Sequence, residues 1–280
     1  MKTELHPLIT AAELEALLGS TNLIIVDAGS GGPAKEAYAK KHIAGALYVD
    51  LNDDLSDTKE DAADGGRHPL PSVQAFGQTL SNLGISSESH VVVYDDKGGA
   101  NAAARFWWML RSVGHQKVQV LNGGLQAAEK HGCQINNIEV KPEASGPYPA
   151  SDWQFPISTI DEVEGASSHR KSVVIDVREA YRYKGVSEPI DLIAGHIPGA
   201  VNIPLQENLD ENGLFLSPSA LQEKYAAIMH EYKATINCGS GVTACHTILA
   251  IASAGFEIPK LYVGSWSEWS RNDKPIAKAV

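Results

Sequence analysis

The amino-acid sequence predicts an α/β protein of two similar domains, each with a mostly parallel sheet covered by helices on both faces. The first observation is that short apolar runs alternate along the chain with segments of helical spacing. The second is that these runs show no polar alternation, which is typical of parallel strands buried on both faces. The third is a weak internal repeat in a chain of 280 residues, which has room for two average domains.

The internal repeat consists of four pairs of motifs that occur in the same order in both halves. "LIIVDA" (23–28) pairs with "VVIDVR" (173–178), "HIAGA" (42–46) with "HIPGA" (196–200), "HVVVYDD" (90–96) with "ATINCGS" (234–240), and "VLNGGL" (120–125) with "LYVGSW" (261–266). The separation of about 150 residues indicates a duplicated domain, since solenoid repeats are much shorter. We therefore predict a first domain over residues 1–140, a linker rich in Pro, Ser and Gly over 141–155, and a second domain over 156–280.

The order of elements is the same within each half. In the first half, "VVVYD" is typical of a buried strand, "AAARFWWMLRSVGH" of a helix that ends near a glycine, and "KVQVLNGG" of the next strand. In the second half, "KATINC", "VTACHTILAIASAGF" and "PKLYVGS" repeat this arrangement. The ligand site of such a sheet lies beyond the carboxyl ends of its strands, and Cys238 stands at one of these ends.

The composition limits the partners and the compartment. The formal net charge of −11 is spread without long runs of one sign, so we expect neither nucleic acid nor a membrane as a partner. Three cysteines are too few for a disulfide framework, and no hydrophobic targeting segment stands at the start, so we expect a reducing cytoplasm. The spacing of Cys238, Cys245 and His246 fits no structural zinc pattern, and we expect no metal and no cofactor.

The stretch "TINCGSGVTACH" allows two readings in which the loop binds phosphate. Residues 239–244 match G-x-G-x-x-A, the dinucleotide pattern, but Glu257 precedes its strand and too little chain follows to complete a nucleotide-binding half. A thiolate phosphatase also places a cysteine at a strand end, but it needs an arginine six residues later. That position is Ala244, so the cation that grips a phosphoryl group is missing.

Two readings of the cysteine itself remain. Free cysteine is often simply buried, and this suits Cys133 and Cys245, the latter within the helical pattern. Cys238 instead stands between a strand end and a helix N-terminus, where unpaired amides and the helix dipole favour the thiolate. Gly239 and Gly241 allow the backbone to curl so that its amides point at one centre. The loop is therefore suited to an anionic sulfur.

Four features together carry a family resemblance. They are the duplicated H-I-x-G-A, "GGRHPLP" (65–71), "RFWWMLR" with "LNGGL" after it, and "CGSGVTACH" followed by "YVGSWSEW". In these features the chain resembles the tandem-domain rhodanese-type sulfurtransferases, and Cys-Gly-Ser-Gly-Val-Thr resembles their 3-mercaptopyruvate branch. Members that use thiosulfate carry Arg-Lys where this chain has Gly239-Ser240. The resemblance implies two rhodanese-like domains, the first inactive because Asp95 stands in the place of the cysteine.

The resemblance also implies a reaction and the residues that carry it. Cys238 would take sulfur from 3-mercaptopyruvate as a persulfide and pass it to a thiol acceptor such as thioredoxin, or to cyanide. Arg182 would bind the substrate carboxylate. The loop amides that would stabilise the anionic sulfurs belong to Gly239, Gly241, Val242 and Thr243. The alternatives are thiosulfate as the donor, or a non-catalytic persulfide carrier, which would need no carboxylate clamp.

In the mercaptopyruvate branch, a serine, a histidine and an acid are thought to form a relay. Ser240 and His68 match the first two, and we expect the His68 ring within reach of Ser240 if the relay operates. Asn52 occupies the place of the acid, with Asp50 and Asp53 beside it, and an amide cannot stabilise an imidazolium.

Three further expectations concern the remaining motif residues. A second substrate arginine is absent at Ile190-Asp191, so Arg182 is the one candidate cation beside the nucleophile. His42 and His196 recur in both halves whether or not the half has a nucleophile, so we expect them to stabilise the fold. The tryptophans that we expect in the core or between domains are Trp107, Trp108, Trp266 and Trp269.

Overall fold

The computed structural model divides into two compact units. Unit 1 is Met1–Asp57 with Pro71–Gln154, and unit 2 is Thr58–Leu70 with Phe155–Val280. The structure describes residues 5–166 and 169–279. The segment Thr58–Leu70, which the sequence analysis assigned to the first domain, therefore lies with the second unit.

Unit 1 is built on one parallel sheet. The strands of unit 1, five of them in this sheet, are β1 (Leu8–Ile9), β2 (Leu23–Gly29), β3 (His42–Ile43), β4 (Leu47–Asp50), β5 (His90–Tyr94), β6 (Val118–Leu121) and β7 (Ile135–Asn136). Its helices are α1 (Ala11–Leu17), α2 (Gly31–Lys40), α3 (Val73–Asn82), α4 (Ala102–Ser112) and α5 (Gly124–His131). The sheet order is β1-β6-β5-β2-β4, and β3 pairs with β7 in a separate antiparallel ribbon.

Unit 2 repeats this plan. Its strands are β8 (Ile157–Ser158), β9 (Ser172–Asp176), β10 (Val201–Asn202), β11 (Lys233–Asn237) and β12 (Lys260–Tyr262). Its helices are α6 (Ile160–Ala166), α7 (Ala180–Tyr183), α8 (Pro218–Glu231), α9 (Ala244–Ser253) and α10 (Ser265–Trp269), with a 3-10 turn at Leu205–Asn208. The parallel order β8-β12-β11-β9-β10 matches that of unit 1 strand for strand, which confirms the predicted duplication.

The central strands of the sheets are buried, as their unalternating sequences predict. In β5, Val91, Val92, Val93 and Tyr94 are all fully buried. One face of the unit 1 sheet packs against α1 and α5, which contribute Leu14 and Leu125 respectively. Helix α4 lies against β2, β5 and β6. Trp107, Trp108, Trp266 and Trp269 are also buried. Burial of this kind is the main driving force for each unit.

The repeated histidines have the same surroundings in both units. His42 Nδ1 lies 2.7 Å from the Tyr38 carbonyl oxygen, and its ring stacks on that of Tyr38. His196 Nδ1 lies 2.8 Å from the Tyr183 carbonyl oxygen, and its ring stacks on that of Tyr183. His42 begins β3 and His196 forms an isolated β-bridge with Ala277, so each histidine ties an extended segment to the end of the preceding helix.

Candidate active site

Cys238 lies directly after β11, at the carboxyl end of the central strand of unit 2. β11 pairs with β9 on one side and β12 on the other, and α9 begins at Ala244. The cysteine is 1% exposed. The predicted strand–loop–helix context of this residue is therefore what the structure contains.

Ser265 at the start of α10 shapes the loop that follows Cys238. Its hydroxyl accepts hydrogen bonds from the Cys238 and Gly241 amides, both at 3.1 Å, and donates to the Tyr262 carbonyl at 2.7 Å. Ser265 has φ +51°, a left-handed conformation that non-glycine residues rarely adopt. The amide of Trp266 also donates to the Cys238 carbonyl at 3.0 Å. The loop is thereby fixed to the turn after β12.

The loop backbone presents a set of amides that an anion can bind. Gly241 has φ +71°, and a Cβ there would lie 2.3 Å from the Val263 carbonyl oxygen, so only glycine fits. Within the described residues, the amides of Gly239, Ser240, Val242 and Thr243 donate to no protein acceptor. Four amides at a helix N-terminus favour negative charge on a bound group.

His68 and Ser240 are brought together by the segment Thr58–Leu70. His68 Nδ1 lies 2.8 Å from Ser240 Oγ, which is the proximity expected of the pair. The segment is held to α10, because the Gly65 amide donates to Glu268 at 3.1 Å and the Arg67 amide donates to Ser267 Oγ at 3.0 Å. A Cβ on Gly66 would lie 2.4 Å from the Gly264 carbonyl oxygen, so this approach also requires glycine.

Asn52, at the place of the relay acid, belongs to unit 1. Its backbone N–H donates to the Asp50 carboxylate at 2.8 Å, as do the backbone N–H of Gly31 at 2.8 Å and the Tyr48 hydroxyl at 2.9 Å. Asp50 thus organises the turn after β4.

Arg182 lies in a network of buried charges. Its Nε donates to Glu188 at 3.0 Å and its Nη2 lies 3.2 Å from Asp191, and both carboxylates are buried. Burial acts to raise the pKa of Glu188, but the hydrogen bond from Arg182 and the amide of Asp191 outweigh it, so this pKa lies below its usual value. Arg182 is thus held in one position by two carboxylates.

Two further arginines reach the same carboxylate, and this corrects the expectation that Arg182 is the one cation beside the nucleophile. Arg67 Nε lies 3.0 Å from Asp191 Oδ1, and Arg271 Nη1 lies 3.4 Å from the same atom. A Cβ on Gly239 would lie 3.0 Å from Arg67 Nη2 and 3.4 Å from Arg182 Nη2. The expectation was wrong because it counted only cations in the loop motif and at the family position, whereas Arg67 comes from a distant segment.

The other two cysteines, Cys133 and Cys245, are buried thiols. Cys245 is fully buried in α9, with its Sγ 3.4 Å from the Gly241 carbonyl oxygen. Burial raises the pKa of the Cys133 thiol. Within residues 5–166 and 169–279 there is no group of three or more side chains that could hold a metal ion. The same residues contain no helix long and apolar enough to cross a membrane.

The duplicated parallel sheets and the cysteine at a strand end define a class: a two-domain α/β protein with a cysteine in an amide-lined loop of its second unit. The model of the rhodanese-like domain matches residues 10–131 and 159–272. The chain belongs to the rhodanese family and is a sulfurtransferase, as its relatives are.

The relatives divide between two donors. A probable 3-mercaptopyruvate sulfurtransferase of Pseudomonas aeruginosa is 37% identical over 96% of this chain and 97% of its own length. A putative thiosulfate sulfurtransferase, SseB of Mycobacterium tuberculosis, is 34% identical over 98% of this chain and 97% of its own. Among solved structures, the 3-mercaptopyruvate enzyme SseA of Escherichia coli has a TM-score of 0.78 and 28% identity, covering 94% of this chain and all of its own.

Proposed function

We propose that this sulfurtransferase moves sulfur from 3-mercaptopyruvate to a thiol acceptor such as thioredoxin, or to cyanide, through a persulfide on Cys238. The observation that carries the proposal is the position of Cys238, at a strand end above four amides that donate to no other described residue. A reducing cytoplasm suits this chemistry, because Cys238 must remain a thiol between turnovers.

The first step is an attack of the Cys238 thiolate on the sulfur of the donor. An S–S bond forms and the C–S bond of 3-mercaptopyruvate breaks, with its electron pair leaving on the pyruvate enolate. The thiol proton of the donor, first carried by the outer sulfur, passes to the enolate, so pyruvate and an anionic persulfide result. The amides of the loop stabilise that anion. An acceptor thiolate or cyanide then attacks the outer sulfur and restores Cys238.

Ser240 and His68 supply the proton path for the leaving enolate. The Ser240 hydroxyl, paired with His68 Nδ1 at 2.8 Å, follows the nucleophile by two residues. A hydroxyl here donates a hydrogen bond to the enolate oxygen, and the imidazole holds that hydroxyl in place. Thiosulfate needs no such donor, because its leaving group, sulfite, stays an anion.

One observation favours thiosulfate as a second candidate donor. Arg67 and Arg182 both approach the position beside Gly239, and a dianion gains more from two cations than a monoanion does. The Ser240 hydroxyl distinguishes the two candidate donors, because in this proposal only the reaction of 3-mercaptopyruvate uses it.

Steady-state rates with both donors, in one buffer and with cyanide as the common acceptor, test the proposal. We expect kcat/KM for 3-mercaptopyruvate to exceed that for thiosulfate by about tenfold or more. An equal or reversed preference would assign the chain to thiosulfate. A wild-type protein that turns over neither donor, while still accepting sulfur from another persulfide, would make it a carrier.

A further inference from the structure

We propose that Arg67 supplies the second cation for the anionic end of the sulfur donor, and that Asp191 is the residue that positions it. This inference rests on the proposed function, because it names a group that binds the donor of that reaction. It also assigns a role to the segment Thr58–Leu70 beyond the placement of His68.

The two guanidinium groups that meet near the nucleophile come from different parts of unit 2. Arg67 Nη2 and Arg182 Nη2 lie 3.0 and 3.4 Å from the point that a Cβ on Gly239 would occupy. Gly239 is the residue after Cys238. A donor whose sulfur is at Cys238 therefore has its carboxylate within reach of both arginines, and a guanidinium binds a carboxylate through paired N–H groups.

Arg67 is held so that its terminal nitrogens stay available. Its amide donates to Ser267 Oγ and its Nε donates to Asp191 Oδ1, each at 3.0 Å. Within the described residues, these are the hydrogen bonds that Arg67 makes, and neither uses Nη1 or Nη2. The side chain is 28% exposed, so a ligand from solvent can reach it.

Asp191 makes this arrangement possible. Its side chain is fully buried and contacts Arg67, Arg182 and Arg271. An arginine at this position, as the resemblance leads one to expect, would repel these cations, whereas the buried carboxylate gathers them.

The charge balance leaves room for an external anion. Four guanidiniums, those of Arg67, Arg178, Arg182 and Arg271, face three buried carboxylates, those of Asp176, Glu188 and Asp191. The remaining partner, Glu179, lies 3.6 Å from Arg182 Nη1 and is 43% exposed, so solvent screens it. The local excess is positive in a chain whose net charge is −11.

The test compares Arg67→Gln and Arg67→Lys with Arg170→Gln in the full chain. We expect Arg67→Gln to raise KM for 3-mercaptopyruvate about tenfold or more with kcat within about threefold, since the contact is made equally in the ground and transition states. Arg67→Lys keeps the charge without the fork and should fall between. Arg170→Gln, at an exposed arginine of unit 2, is the control and should change KM less than about threefold.

A binding measurement without turnover keeps this inference separate from the proposed function. Pyruvate, an unreactive carboxylate, should bind Arg67→Gln about tenfold more weakly than wild type in calorimetry. If the wild type prefers thiosulfate, the proposed function fails, yet a higher KM for thiosulfate in Arg67→Gln would still support the role of Arg67. Unchanged KM for both donors and unchanged pyruvate affinity in folded Arg67→Gln would overturn it.

Discussion

The loops after β5 and β11 occupy the same place in two sheets of the same strand order, but their backbone amides differ in whether they already have an anionic acceptor. In unit 1 the Asp95 carboxylate accepts the amides of Lys97, Gly99, Asn101 and Ala103, at 2.7 to 3.2 Å. In unit 2 the equivalent residue is Cys238, and four amides of its loop have no acceptor among the described residues. One loop contains its own anion, and the other is suited to receive one.

This difference is the basis on which we propose one sulfur site in a duplicated fold. Burial raises the pKa of Asp95 above its usual value, although the four amide donors oppose the rise. A carboxylate that fills its own amide nest stabilises the loop but leaves no room for a ligand. We therefore expect Asp95 to matter for stability and Cys238 for chemistry.

The largest expected effect is on turnover. Cys238→Ala should lower kcat/KM for either donor by more than about 1000-fold, because the proposed reaction carries the sulfur on this side chain. Cys133→Ala, at a buried cysteine of unit 1, is the control and should retain wild-type rates. Residual turnover of Cys238→Ala within tenfold of wild type would remove the cysteine from the mechanism.

The second effect is on stability and has the opposite pattern. Asp95→Ala leaves four amides without their acceptor and should lower the free energy of unfolding by about 3 kcal/mol. Cys238→Ala removes one buried sulfur and should cost about 1 kcal/mol. Urea unfolding of the two variants measures both values, and equal losses would show that the two loops do not differ in this way.

The two units should also respond to pH in opposite directions. In unit 1, burial raises the pKa of Asp27 to about 7. The folded state holds a proton that the unfolded state releases above about pH 4, so this contribution to stability is lost as pH rises through 7. Asp27→Asn should therefore stabilise the protein by a few kcal/mol at pH 8 and have little effect at pH 4.

In unit 2, burial lowers the pKa of His246 to about 3. Below about pH 6.5 this histidine is protonated in the unfolded state but stays neutral in the folded state. The free energy of unfolding therefore falls as pH falls toward 3. His246→Gln should flatten that loss, whereas His230→Gln, at an exposed histidine, should not. Denaturant titrations between pH 4 and 8 measure both slopes. If both variants changed the pH dependence of the free energy of unfolding in the same direction, the contrast between the two units would be contradicted.

The smallest effect concerns the proton path of the proposed reaction. His68→Gln should lower kcat for 3-mercaptopyruvate about tenfold and leave kcat for thiosulfate within about threefold. His169→Gln, at an exposed histidine of unit 2, is the matched control. Equal losses with both donors would indicate that His68 only positions the loop.

The sequence predicts the fold well because its signals are local. Unalternating strands and helical spacing are read within short windows, and each copy of a duplicated motif is itself a short run. The place of Cys238 at a strand end follows from the same patterns, whereas the place of Asp95 in the first half is implied by the family resemblance.

The parts that sequence reasoning missed depend on long-range pairing. Arg67 stands beside His68 in "GGRHPLP", so a signal was present, but its partner Asp191 is 124 residues away. Ser265 lies within "YVGSWSEW", and nothing local shows that its hydroxyl accepts two amides of the Cys238 loop. Contacts between residues so far apart in the sequence become visible only when the fold places the distant segments together.

The most direct test of the central claim is the mass of the intact protein after incubation with 3-mercaptopyruvate in the absence of an acceptor. We expect a gain of one sulfur atom per chain, located by peptide mapping at Cys238, lost on addition of cyanide and absent in Cys238→Ser. Sulfur carried by Cys133 or Cys245, or a gain that persists in Cys238→Ser, would contradict the account.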